Sequence, residues 1–224
     1  MKVAILGCAP SARMAPFYDD EWEIWGTGIS GAKYPRWSRW FQLHDVERLL
    51  RGYGALPAET SADLMEWLVG FDGPVYMHNK APGIPGSEAF DFDYYVDKFG
   101  RNFRATASWM MAKAIDEGAT DIGIYGVDMA AEGEYQEQRP SVKFFEGWAR
   151  GAGINVTVAP SSSLSRCNFL YGKDDLAEAA FTEYEDTLKR QQKIVEQQRL
   201  DGDAAARELT GALKTMQLFR EDRI

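Results

Sequence analysis

Short apolar runs punctuate the first three-quarters of the chain, each stopped by glycine or a polar residue. Val3-Ala-Ile-Leu6 ends at Gly7, and Trp22-Glu-Ile-Trp25 ends at Gly26. Arg39-Trp-Phe-Gln-Leu-His44, Pro74-Val-Tyr-Met77, Ile122 to Val127 and Ile154-Asn-Val-Thr-Val158 repeat the pattern. Continuous runs of this length mark strands buried on both faces. Between them the apolar spacing lengthens to helical intervals. Ser61 to Val69 groups Leu64, Trp67 and Leu68, Ala105 to Glu117 groups Trp109, Ala112 and Ile115, and Ser141 to Arg150 stops at Gly151. Strands alternating with helices predict an α/β, Rossmann-like fold, a mostly parallel sheet of about six strands with helices on both faces. His78 to Ser87 carries Pro82, Gly83, Pro85 and Gly86 and reads as loop. Phe90 to Phe103 is aromatic and acidic without periodicity, which suits a lid or a cleft wall.

The character changes after Tyr171-Gly172, so the expected division is a nucleotide-binding domain over 1–172 and an appendage over 173–224. Leu176, Tyr184, Leu188 and Val195 fall at roughly helical intervals in a charged, Gln-rich stretch. Asp201-Gly-Asp203 interrupts it and Ala204 to Phe219 resumes, the pattern of an α-helical hairpin. The hairpin either packs on the sheet domain or joins copies of the chain as a homo-oligomer.

Composition narrows the partners. The formal charge is 25 − 34 = −9, which repels a phosphate backbone and makes nucleic acid an unexpected partner. Arg36 and Arg39 leave room for a local basic patch. Cys8 and Cys167 give neither metal spacing nor a disulfide framework, and Cys8 is expected as a small buried residue. No run resembles a signal peptide or approaches the roughly 20 apolar residues of a membrane span, so a soluble, cytoplasmic protein is expected.

The residues that carry chemistry gather at predicted strand ends. Gly26-Thr-Gly-Ile-Ser-Gly31 matches G-x-G-x-x-G, but Pro35 and the strand beginning at Arg39 leave no space for the helix that a dinucleotide fingerprint requires. Gly26 is read as part of a turn beside the cleft. The Gly7-Cys8-Ala9-Pro10-Ser11 turn is the better phosphate candidate, with a tight glycine turn, exposed amides and a hydroxyl near a helix start. Ser11 otherwise simply caps that helix. His44, followed by Asp45, suits a general base, and His78 is the weaker histidine candidate. Their separation gives no zinc spacing. Asp128, at the end of the Tyr125-Gly126-Val127 strand, either serves as base or ligand for a ribose hydroxyl or Mg²⁺, or caps the following turn. Tyr135, Gln138 and Arg139 follow on a polar run, with Arg139 expected to leave the loop before a helix that starts past Pro140. Ser108 and Ser161 to Ser163 add hydroxyls on the same side.

The ordered set Gly7-x-x-Pro10-Ser11, Trp22 to Gly26, Pro35-Arg36, Arg39 to His44, Ile124 to Met129 and Glu134-Tyr135-x-x-Gln138-Arg139-Pro140 resembles a family of tailed-phage proteins, over residues 1 to about 172. That resemblance implies the host cytoplasm as the location. More distantly, the G-x-x-P-S turn and the Gly-Val-Asp strand end look like the Rossmann-type domains of MptE-like pyrophosphokinases and bacterial sialyltransferase-like glycosyltransferases. Those resemblances imply a nucleotide or nucleotide-sugar ligand at this sheet edge. The sialyltransferase-like group places a catalytic histidine late in the chain, whereas here no histidine follows His78. The expected activity is transfer of a glycosyl or (di)phosphoryl group to a hydroxylated acceptor, with Asp128 and His44 catalytic; the diphosphoryl version would call for Mg²⁺. Binding without turnover, to sequester a signal molecule, and a role in assembly are the competing readings.

Overall fold

A computed structural model of the chain describes residues 1–28, 34–43, 58–129, 134–165 and 170–173, with positions 181, 184–189, 191–192, 195–196, 199 and 210 further on. For 58–63, 134–136 and 165 it describes the backbone alone. The chain divides into two compact units, Met1–Arg166 and Cys167–Ile224. Every described position from 181 onward in the second unit is helical.

The first unit is a sheet wrapped by helices. Its strands are β1 (Lys2–Leu6), β2 (Trp22–Thr27), β3 (Arg39–Gln42), β4 (Val75–Met77), β5 (Ser87–Ala89), β6 (Asp121–Tyr125) and β7 (Asn155–Val158). Among the described residues they form one seven-stranded sheet in the order β5-β4-β3-β2-β1-β6-β7, parallel throughout. The helices are α1 (Ala58–Gly70), α2 (Phe92–Phe99), α3 (Thr106–Asp116) and α4 (Glu134–Gly151), with a short 3-10 helix at Pro10–Met14. The chain winds outward from β1 to β5, then returns to the other side of β1 as β6. The fold is therefore Rossmann-like, with its topological switch point between β1 and β6.

Strand register sorts the core into two layers. Val3 pairs with Ile122 and Ile5 with Ile124, and the same pleat carries Trp25, Phe41 and Tyr76. This face packs on Tyr95 and Phe99 of α2, Met110 and Met111 of α3, and Val142 and Phe145 of α4. The alternate pleat carries Ala4, Leu6 and Ile24 against Ala12, Ala15 and Phe17 around the 3-10 helix. Further along it, Trp40, Val75 and Met77 meet Leu64 and Leu68 of α1. Each fully buried Ile, Leu or Phe removes enough apolar surface from water to contribute about 1.5–3 kcal/mol.

Several expectations are revised. The loop expected over 78–87 delivers β5, an edge strand whose Glu88 and Ala89 are exposed. The stretch 90–103 contains α2, capped by Asp91 accepting from the Tyr94 amide at 3.0 Å. Helix α4 starts at Glu134 rather than past Pro140, so Arg139 and Pro140 lie inside it. Pro140 is exposed, where the hydrogen bond it cannot donate costs least. Arg36 and Arg39 form no basic patch. Arg36 donates to the carbonyls of Phe17, Asp19 and Trp22, tying down the loop before β2. Arg39 bridges Glu23 at 2.8 Å and Glu117 at 2.7 Å beneath the sheet's amino end. Gly26 lies within β2, where a β-carbon would fall 2.3 Å from the Trp40 ring and 2.5 Å from Trp37. Its glycine makes room for the Trp37 and Trp40 indoles, which meet edge to face at 5.0 Å, and not for a pyrophosphate.

Candidate functional site

At the switch point the two strand ends nearly touch. The Gly7 amide donates to the Tyr125 carbonyl at 2.9 Å, and the Ala9 amide donates to the Gly126 carbonyl at 3.0 Å. A β-carbon on Gly7 would lie 2.3 Å from the Gly126 oxygen, and one on Gly126 would lie 2.6 Å from the Gly7 oxygen. Gly126 also has a left-handed φ of +65°. Glycine at both positions lets the two turns lock backbone to backbone.

The turn that follows β6 is held from three sides. Ser11, 4% exposed, accepts from the Gly126 amide at 2.8 Å and donates to Asp128 Oδ1 at 2.6 Å. Ser162 Oγ donates to the Val127 carbonyl at 3.0 Å, and Ser163 Oγ donates to the Asp128 carbonyl. Met129, next in line, takes a left-handed φ of +46°, rare for a residue with a side chain. Strained backbone fixed by surrounding contacts is the way proteins aim a functional side chain. Here the aimed group is the Asp128 carboxylate, half-buried, whose Oδ2 has no hydrogen-bond partner among the described residues.

A cavity of about 820 Å³ opens beside it, within the range of small-molecule sites. Gly7, Cys8, Ala9, Gly126, Asp128 and Met129 form its switch-point side. Facing them is the start of α3, with Arg104, Ala105, Thr106 and Ala107 at the wall. No side chain caps that helix; the Ser108 amide is held by the Ala105 carbonyl at 3.0 Å, and the Thr106 and Ala107 amides with the positive end of the dipole are available to an anion. Arg104 adds a guanidinium, ion-paired at 2.7 Å with Glu137 in a largely exposed contact. The apolar side is aromatic. Phe92 meets Trp109 edge-on at 5.0 Å, His78 lies over Phe92 at 4.5 Å, and Phe103 stacks behind Trp109 at 3.6 Å.

Of the residues read from the sequence, Gly7, Cys8, Gly126, Asp128 and Gln138 meet in this cavity. Cys8 is exposed rather than buried, its thiol 3.8 Å from the Thr27 carbonyl. Ser11 does not line the cavity; its hydroxyl is spent on Asp128 and Gly126. Pro10 and Gly26 also stay outside the wall. Tyr125 turns to the opposite face, its ring folded over Gly123, and burial raises its phenol pKa. Ser108 is fully buried and 2.6 Å from Ser141 Oγ, which donates to the Asn102 carbonyl and accepts from the Arg104 amide. Since the Ser141 proton goes to Asn102, Ser108 is the donor, and the pair braces the loop that presents Arg104. Arg139 lies off the cavity, with Nη2 3.4 Å from the Leu164 carbonyl. His44 falls outside the described residues, as does the side chain of Tyr135.

His78, the weaker histidine candidate, also lines the cavity, and Arg104, Phe92 and Trp109 add to its wall beyond the site residues read from the sequence. Arg104, just before the α3 start, was legible as a cation beside a helix terminus; His78 directly follows β4. Among the described lining residues Asp128 is the single carboxylate. A bound Mg²⁺ would draw the rest of its shell from ligand phosphates and water, so these residues do not build a resident metal site. Among the described residues no group of three or more His, Cys, Asp or Glu gathers as a metal-ligand set, and no helix is long and apolar enough to cross a membrane.

No protein-family model matches the chain, and no curated protein matches it. Among solved structures, the sialyltransferase CstII from Campylobacter jejuni, in complex with a substrate analogue, cytidine-5'-monophosphate, is similar to it. The match covers 78% of this chain and 86% of that one, at 15% identity and a TM-score of 0.47. A likeness at that level concerns the course of the chain, not its residues or chemistry.

Proposed function

We propose that the switch-point cavity binds a nucleotide or nucleotide sugar and transfers its glycosyl or phosphoryl group to a hydroxylated acceptor. The observation that carries this reading is the strained, triply anchored turn that aims Asp128 into a cavity facing an uncapped helix start. Phosphate oxygens suit the Thr106 and Ala107 amides of α3 and the Arg104 guanidinium. A base or sugar ring suits the Phe92 and Trp109 wall, where flat aromatic surface rewards stacking. In the transfer, Asp128 Oδ2 takes the acceptor's hydroxyl proton as that oxygen bonds to the anomeric carbon or phosphorus. The bond to the leaving phosphate breaks in the same step, and its developing charge falls on α3 and Arg104.

Thermal-shift titration with CMP, UDP and their sugar conjugates tests binding. A ligand at a hundredfold excess over its dissociation constant stabilises the fold by about 2.7 kcal/mol. Asp128→Asn keeps an acceptor for Ser11, so it retains the melting temperature and ligand shift while losing turnover. Failure of every nucleotide to shift the melting temperature sinks the proposal. Binding with no product formed supports sequestration instead.

A further inference from the structure

The cavity is longer than the switch point alone. Its described lining comes from the carboxyl ends of five neighbouring strands: Asp128 follows β6, Cys8 follows β1, Gly28 follows β2, Leu43 follows β3 and His78 follows β4. Four strand spacings of about 4.8 Å set His78 roughly 19 Å from Asp128 along the edge of the sheet. An aspartate and a histidine side chain together do not bridge that span, so His78 is not placed to exchange a proton at the atom Asp128 serves. The start of α3 lies between the two ends, since α3 packs on β1 and β2. Arg104 belongs to the Asp128 side, where α4 follows β6 and its Glu137 holds the guanidinium at 2.7 Å.

The far end is built from rings. Phe103 stacks on Trp109 at 3.6 Å, Trp109 meets Phe92 at 5.0 Å, and His78 lies over Phe92 at 4.5 Å with the planes 30° apart. His78 ends this ladder, exposed and on the cavity wall. A ring stacked in this way keeps both nitrogens at its rim, and in the neutral imidazole one donates while the other accepts. Leu43 and Phe92, its neighbours in the lining, bring no polar side-chain atom, and the Thr27 hydroxyl is spent on the Phe41 carbonyl at 2.8 Å. Flat surface bordered by a donor and an acceptor suits a nucleobase, which stacks by its face and is read at its edge. Two strand spacings, about 10 Å, separate this end from β2 and leave a nucleoside's length before the α3 amides. A sugar phosphate alone would leave the ring end empty.

We infer that the ligand lies along the strand ends, its nucleobase against Phe92 and His78 and its phosphates at α3, and that His78 selects the nucleobase. This placement rests on nucleotide binding at the switch point. Calorimetry with ADP, CDP, GDP and UDP tests it on the parent, His78→Ala, His78→Phe and Arg104→Ala. The parent prefers one nucleobase among the four. His78→Ala weakens that nucleotide by about tenfold, the size of one lost stacking partner, and narrows the spread among the four. His78→Phe keeps a stacking surface, so it recovers most of the affinity and none of the preference. Arg104→Ala weakens all four by a common factor. Melting temperatures stay with the parent's, because both side chains are exposed. A parent that binds no nucleotide sinks the functional reading and this placement together. A parent that binds all four alike overturns the inference alone, as does a His78→Ala variant that keeps the parent's affinities or its preference.

Discussion

Ser11→Ala separates what holds the switch-point turn from what the turn does. The substitution leaves the 3-10 helix backbone alone and deletes one hydroxyl that is 4% exposed. Two consequences follow from the geometry. The Gly126 amide loses its acceptor at 2.8 Å in a buried setting, and an unpaired buried donor costs about 1–3 kcal/mol. Asp128 loses a hydroxyl donor at 2.6 Å, a charge-assisted bond weakened by the half-buried position of the carboxylate. Because one hydroxyl serves both, the losses are not additive, and about 2–3 kcal/mol is expected. In a domain of this size that lowers the melting temperature by roughly 5–10 °C. Below that temperature the folded variant binds nucleotide nearly as well as the parent, since Ser11 does not line the cavity, but its Asp128 swings freely. Turnover then falls by roughly 10–100-fold with KM little changed, the pattern of a lost transition-state contact. Chemical denaturation together with kcat and KM on the same preparation checks both halves. A stability loss under about 0.5 kcal/mol would refute the buried bridge, since surface changes alone reach that size. A full stability loss with unchanged kcat would refute the positioning role.

Two further outcomes are expected. Glu137→Gln frees Arg104 from its exposed ion pair, raising affinity for a phosphate-bearing ligand by about 2–5-fold in calorimetry and changing stability by no more than about 0.5 kcal/mol; unchanged affinity would remove Arg104 from the anion site. Burial would raise the Asp116 carboxyl, but hydrogen bonds from Lys98 and Tyr94 outweigh it and hold the pKa below its ordinary value. A depressed folded pKa contributes stability that is present above the unfolded value and is lost as pH falls, here below about pH 4. The melting temperatures of the parent and Asp116→Asn therefore converge in acid, and a gap that stays constant with pH contradicts the assignment.

What the sequence disclosed and what it withheld have one physical cause. Burial on both faces writes itself as an apolar run, so the central strands and the switch point were legible, and with them Gly7, Gly126 and Asp128. β5 was not, because an edge strand of three residues with two exposed has no such run to show. α2 was hidden for a related reason. Tyr95 and Phe99 face the core, but exposed Tyr94 blurs the period over only eight residues. Hydroxyls were read least well. The sequence offers Ser11 and Ser108 as ligand groups, and both are committed to internal acceptors. A serine near a strand end can serve a ligand or the backbone, and composition cannot separate the two. The distinction lies in partners more than thirty residues away, Asp128 for Ser11 and Ser141 for Ser108, which meet only once the sheet has formed. That same separation makes the Ser11–Asp128 contact informative. Residues 117 apart gain nothing locally from being serine and aspartate, so their pairing across the switch point is explained by the carboxylate they hold in place.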